Sequence, residues 1–250
     1  MSDIWAACGA QARPRLLTGE ILRLVESQEQ VATNRLVSTL AEQELLEAML
    51  EASKPPLPKG TARLDYLLAT PFRYPPLPYG SRFGGRHEPS LFYAARTVTT
   101  VLAESAYYRL VFWQGMKTLP PAPLRTQHTL FGAKLRARRG YALHQPPFDR
   151  YRTVLASRED YGPTQALGRH LRDAGADAIE YVSARDADGG LNVALYAPTA
   201  FGQTRPTFKE EWLCETGADE VSFYARRDAG LRVFPLAQFT IDGRLPSPAT

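Results

Sequence analysis

A chain of 250 residues with 44% hydrophobic and 22% charged residues can bury a substantial core, which excludes general disorder. Its formal net charge of +4 is modest, and two cysteines far apart in sequence, Cys8 and Cys214, with four scattered histidines supply neither a disulfide framework nor metal-ligand spacing. No apolar run reaches the roughly 18 residues of a membrane span; the start, Met1-Ser2-Asp3-Ile4-Trp5, lacks a secretory pattern, so a cytoplasmic protein without a metal is expected.

Ile21, Leu22 and Val25, then Leu36, Val37, Leu40, Leu45 and Met49, recur at three- and four-residue steps, which predicts helices from Thr18 to Ser53. Thr18 or Ser27 can cap a helix start. The segment Lys54-Pro55-Pro56-Leu57-Pro58-Lys59-Gly60 cannot continue a helix, because proline lacks an N–H and restricts its predecessor. A boundary is therefore placed here, with residues 1–60 an N-terminal helical extension and proline-rich linker, and residues 61–250 the main domain. The regular apolar stripes of the extension fit a packing or dimerising helical pair better than a catalytic element.

Residues 63–70 carry no clear pattern, whereas Leu91 to Ala95 reads as a short strand. Val98, Val101, Leu102, Ser105 and Arg109 to Phe112 mark a helix to about Trp113, with Glu104 beside its buried stripe. Pro123 to Tyr151 carries no assignment beyond a strand near Leu143 and Val154. Pro163 suits a first helical position, Leu167 and Leu171 share a face, and Gly175 suits a C-terminal cap. Ala178 to Val182 reads as a strand ending at Ser183, with a turn over Asp186 to Gly190 and a returning strand over Asn192 to Ala197. Val221 to Ala225 and Arg232 to Ile241 predict two more strands. The basic run from Lys134 to Arg139 reads as solvated, which disfavours direct nucleic-acid binding.

The chemistry gathers between Phe72 and Glu104. Arg73 precedes Tyr74-Pro75-Pro76, so an extended backbone is expected there, with a side chain long enough to cross a cleft toward a phosphate or ribose. In Gly80-Ser81-Arg82-Phe83-Gly84-Gly85-Arg86, arginines beside glycines can hold a pyrophosphate through forked donors and close backbone N–H groups. Tyr93 offers a face for a ring and a hydroxyl for a ribose, and Tyr74 is similar. Glu104 can oppose positive charge developing on a sugar carbon, while Ser183 can hydrogen-bond a ligand but has no neighbouring base to make it a nucleophile. Together these parts point to a dinucleotide whose glycosidic bond is broken. Structural alternatives stand beside them: a surface ion pair for Arg73, a core aromatic for Tyr93, a loop cap for Ser183, and a pairing of Glu104 with Arg109 at a poor five-residue offset.

The order Arg73, Gly84-Gly85-Arg86, Tyr93 and Glu104, followed by Ser183 in Tyr181-Val182-Ser183-Ala184-Arg185, resembles the RES family of NAD-degrading toxins, over Asp65 to Pro198. His87 stands where the family usually has tryptophan and the spacing to Tyr93 is shortened, so Arg82 and Arg86 compete for one role. Residues of the extension, Val25-Glu26-Ser27-Gln28 and Glu42 to Glu47, resemble longer family members. The resemblance implies an α+β fold with a mixed β core similar to ADP-ribosyltransferase toxins, surrounded by helices. It implies NAD as substrate and attack by inorganic phosphate, giving nicotinamide and ADP-ribose phosphate, with protein ADP-ribosylation or NAD hydrolysis as alternatives. It assigns catalysis to Arg73, Glu104 and Ser183, and NAD binding to Tyr74, Arg82, Arg86 and Tyr93. A partner antitoxin of the Xre type, with a helix-turn-helix domain, is also implied. The rival class is a non-enzymatic nucleic-acid or partner-binding module.

Overall fold

Residues Arg15–Glu26 form a strand, β1, where the apolar spacing predicts a helix. Leu17 and Ile21 fall on one face of this strand and Leu22 on the other, a spacing that imitates a helical turn while serving two separate cores. Gly19, at φ +112°, disfavours a helix at that point, and pairing from Arg15–Gly140 to Glu26–His128 supplies the segment's backbone partners. The computed structural model describes residues 3–27, 36–227 and 230–247, so the predicted helix over 28–35 lies outside the described residues.

The remaining elements follow in order. Asp3 caps a short helix, α1 (Ile4–Cys8), and a capping box of Thr39 and Glu42 starts α2 (Leu40–Ser53). Asp65 caps α3 (Tyr66–Arg73), and Thr97 caps α4 (Val98–Gln114), which follows strand β2 (Phe92–Ala95). The segment without a sequence assignment is a 19-residue strand, β3 (Leu124–Ala142), so Leu143 lies just beyond its end. Val154, read as strand, belongs to the helical turn α5 (Arg152–Leu155), ahead of α6 (Gly162–Asp173). Strands β4 (Ala178–Val182), β5 (Leu191–Leu195), β6 (Lys209–Thr216), β7 (Glu220–Ala225) and β8 (Gly230–Pro235) complete the chain. The strand predicted to run to Ile241 stops at Pro235, which opens a single helical turn over Leu236–Gln238. The basic run lies within β3: Lys134, Arg136 and Arg138 are exposed, while Leu135 and Ala137 alternate into the core.

The architecture is α+β, with eight strands among the described residues in the mixed order β1-β2-β5-β4-β3-β6-β7-β8. Because β1 pairs with both β2 and β3, the first five strands of that order close into a ring, and β6 to β8 extend from the N-terminal half of β3. The boundary at residue 60 therefore cuts across the sheet: β1 is integral to it, whereas α2 has no buried residue. One core packs α4, through Leu102, Ala106, Tyr107 and Leu110, against Trp212, Phe223 and Phe234. Another packs α1 and α6 beside β4 and β5, and a third joins α3 to the ring through Leu68, Phe72, Phe92 and Phe131. Among the described residues, no helix is long and apolar enough to cross a membrane.

Candidate active site

Register brings the central groups together. In β2, β5 and β4, Ala95 lies opposite Asn192, which lies opposite Tyr181, while Tyr93 lies opposite Ala194; period-two alternation therefore places Tyr93, Asn192 and Tyr181 on one sheet face. Helix α4 approaches that face with Thr100, Glu104 and Tyr108, which are four residues apart and share one side. Thr100 Oγ1 donates to Asp186 Oδ2 at 2.7 Å, tying the helix to the turn after β4. One turn along, Glu104 Oε1 accepts two bonds of 2.6 Å, from Ser183 Oγ and from Asn192 Nδ2. Both bonds end on one oxygen, so Oε2 keeps its acceptor capacity for a ligand.

Glu104 lines a cavity of about 510 Å³. Ser183 is buried behind it: besides donating to Glu104, its hydroxyl accepts from Arg185 N at 3.1 Å and Asp186 N at 3.0 Å. Ser183 thus caps its loop and orients the carboxylate at once, while Asn192, absent from the site residues read from sequence, donates to the same oxygen. Arg109 does not pair with Glu104; it reaches Glu26 Oε2 at 3.2 Å and Thr216 Oγ1 at 3.0 Å.

Tyrosines surround the carboxylate. Tyr79, Tyr108, Tyr161 and Tyr181 line the cavity, and burial holds the Tyr181 hydroxyl well above the usual phenol range. Tyr93 is fastened rather than free: its hydroxyl donates to Ser81 Oγ at 2.9 Å and accepts from Phe83 N at 3.1 Å, so it anchors the glycine-rich loop. That loop is pressed against α6, where Gly168 leaves room for the backbone of Phe83 that a Cβ would strike.

Of the competing arginines, Arg82 is the one that lines the cavity. Its guanidinium lies 4.4 Å from the centre of the Tyr161 ring and donates to Leu155 O at 3.2 Å and Ser157 O at 2.7 Å. Burial works against its charge, but the surrounding Tyr161, Tyr181, Glu104 and Tyr108 more than offset this and raise its pKa. Arg86 is exposed and lies outside the cavity lining. The carboxylate beside it, Glu88, holds the loop by accepting from Gly85 N at 2.8 Å and pairing with Arg169 at 2.9 Å.

Arg73 is not brought to this site. It ends α3 instead of lying in extended chain, because the proline restriction falls on Tyr74, the residue directly before Pro75. Its guanidinium pairs with Glu51 at 2.6 Å and donates to Pro55 O, which fastens α2 and the linker to the body. Arg23, from β1, lines the cavity where Arg73 does not. Arg23 donates to Tyr93 O at 2.6 Å and lies over the Phe92 ring at 5.1 Å, while its buried Nε has no partner among the described residues. Burial lowers its pKa to about 10, still charged at neutral pH. His128 also lines the cavity, and burial, followed by the nearby Arg109 charge, lowers its pKa to about 4 and keeps it neutral.

Tyr74 lines a second, adjoining cavity, with its carbonyl accepting from Ser90 Oγ at 2.7 Å. The arrangement as a whole is a fixed carboxylate in an aromatic pocket whose lining includes the arginines Arg23, Arg82 and Arg109, suited to a ligand that is cationic at one end and anionic further along.

Comparison with known proteins agrees with the sequence reading of the family. A model of the RES domain matches residues 57–216. No curated protein matches the sequence significantly. Among solved structures, a chain from the crystal structure of the M. tuberculosis MbcT–MbcA toxin–antitoxin complex is similar in fold, with a TM-score of 0.50. The match covers 84% of this chain and 92% of that one, at 9% identity.

Proposed function

The chain belongs to the RES domain family, and from that premise we propose that its cavity binds NAD and breaks the bond between nicotinamide and ribose. The observation that carries this reading is the Glu104 carboxylate, held by two 2.6 Å bonds within a tyrosine-lined cavity that also contains Arg23 and Arg82. As the bond lengthens, its electron pair passes to the nicotinamide nitrogen, which becomes neutral, and positive charge develops on the ribose carbon. A carboxylate already fixed in place stabilises that charge without reorganising. The tyrosine faces attract the pyridinium cation of the bound substrate, and the guanidinium groups complement the diphosphate.

Inorganic phosphate is the acceptor we favour. It arrives as an anion and needs no base to activate it, which suits a site where the Ser183 hydroxyl is committed to a hydrogen bond with Glu104 and His128 is a weak base. Attack on the ribose carbon then gives ADP-ribose phosphate and free nicotinamide. The likeness in fold to a chain of a toxin–antitoxin complex is consistent with a toxin restrained by an antitoxin partner. Mass analysis of products formed from NAD, with and without phosphate, tests the reaction. ADP-ribose phosphate formed only when phosphate is supplied supports phosphorolysis; ADP-ribose alone makes the enzyme a hydrolase; unchanged NAD refutes the proposal.

A further inference from the structure

The cavity that holds Glu104 has a neighbour of about 390 Å³, and Arg23, Leu77, Gly80, Ser81 and Tyr93 line both. The chemistry of the two spaces differs. The second is walled by Pro71, Tyr74, Pro75, Pro76 and Leu77, and among the described residues Arg23 is the one charged residue in its lining. We propose that this second chamber is a nucleoside subsite that takes the adenosine half of the dinucleotide, with the diphosphate held at the partition by Arg23. The proposal rests on the reading of the Glu104 cavity as the nicotinamide-ribose site.

Three observations carry it. The partition contains a guanidinium whose Nε is buried and unpartnered among the described residues, while its Nη1 donates to Tyr93 O; a phosphate oxygen there would satisfy an otherwise orphaned donor. The far wall presents apolar surface that folding leaves open, since Tyr74 is 41% and Leu77 55% exposed. That surface is also stiff: consecutive prolines restrict the backbone, and Ser90 Oγ holds the Tyr74 carbonyl. A flat, rigid wall of proline and tyrosine can stack on a purine with little loss of side-chain freedom. A dinucleotide is two nucleosides joined through a diphosphate, and two chambers flanking one cation reproduce that order. Because Glu104 fixes the nicotinamide end, the adenine end falls to the chamber of Tyr74.

The test compares substrates with and without the adenosine half, using Tyr74→Ala in the full chain after its melting curve confirms folding. AMP should bind the parent protein and Glu104→Gln alike, and bind Tyr74→Ala about tenfold more weakly, as expected for one lost stacking contact. With NAD, the same variant should raise KM by a similar factor and leave kcat nearly unchanged, the pattern of lost uniform binding. Nicotinamide mononucleotide, which lacks adenosine, should be cleaved equally by parent and variant. Unaltered AMP binding in Tyr74→Ala, or equal losses with both substrates, overturns the subsite while leaving NAD cleavage intact. Tyr74-dependent AMP binding in a protein that cleaves neither substrate supports the subsite and refutes the catalytic reading instead.

Discussion

Glu104→Gln isolates charge from shape. The glutamine oxygen can still accept from Ser183 Oγ and Asn192 Nδ2, both 2.6 Å from Glu104 Oε1, so the loop after β4 and the strand β5 keep their attachment to α4. Two charge-assisted hydrogen bonds become neutral ones, which costs about 1 kcal/mol each and lowers stability by about 2 kcal/mol in all. The effect on turnover is larger. Removing one preorganised group that faces developing charge typically lowers kcat by about 100- to 1000-fold, or roughly 3–4 kcal/mol. Nicotinamide release under saturating NAD and phosphate measures kcat, and denaturant unfolding measures stability on the same preparation. Glu104→Ala provides the contrast, because it leaves the Ser183 and Asn192 donors unpaired and should lose more stability than the glutamine variant. A folded Glu104→Gln protein whose kcat stays within threefold of the parent would show that the carboxylate does not stabilise the reacting carbon.

Arg23→Met should raise the KM for NAD by at least about tenfold through loss of a charge-assisted contact; its melting temperature should change little, since the lost bond to Tyr93 O is offset by removal of a buried charge. An unchanged KM would remove Arg23 from the site. Arg73→Ala should leave kcat intact and cost no more than about 1 kcal/mol, because its partner Glu51 is 57% exposed; a large fall in kcat would restore the catalytic role read from sequence. His128 makes stability depend on pH: its folded pKa of about 4 lies below the ordinary value of 6.5, so the unfolded chain takes up the proton first. Stability attributable to this group is therefore complete above pH 6.5 and declines as pH falls toward 4, by about 3 kcal/mol at most. Unfolding curves of His128→Gln across that range should show a shallower decline, and parallel curves would contradict the assignment.

Much of the site was legible because local signals and tertiary contacts agreed. The stripe of α4 located Glu104, and the turn between β4 and β5 located Ser183; the structure joins them by one hydrogen bond. Arg23 was hidden because Ile21, Leu22 and Val25 have spacing compatible with either period, and pairing with β3, distant in sequence, decides for a strand. Asn192 was hidden for a related reason: a polar residue in a short strand acquires meaning only when register sets it beside a carboxylate. Arg73 misled in the opposite direction. Its neighbours Tyr74 and Pro75 signal extended chain, but that restriction begins one residue later, and the arginine turns back to Glu51. The two arginines of the glycine-rich loop were separable only by burial, which places Arg82 inside and leaves Arg86 in solvent.

The central claim is positional: the bond that breaks lies beside Glu104, with the diphosphate running toward Arg23. A crystal structure of the slow variant Glu104→Gln with NAD tests it most directly. In that structure the nicotinamide-bearing ribose carbon should contact residue 104, the pyridinium should lie among Tyr108, Tyr161 and Tyr181, and the diphosphate should lie within hydrogen-bond distance of Arg23 or Arg82. Well-ordered NAD bound with that carbon outside the Glu104 cavity would contradict it.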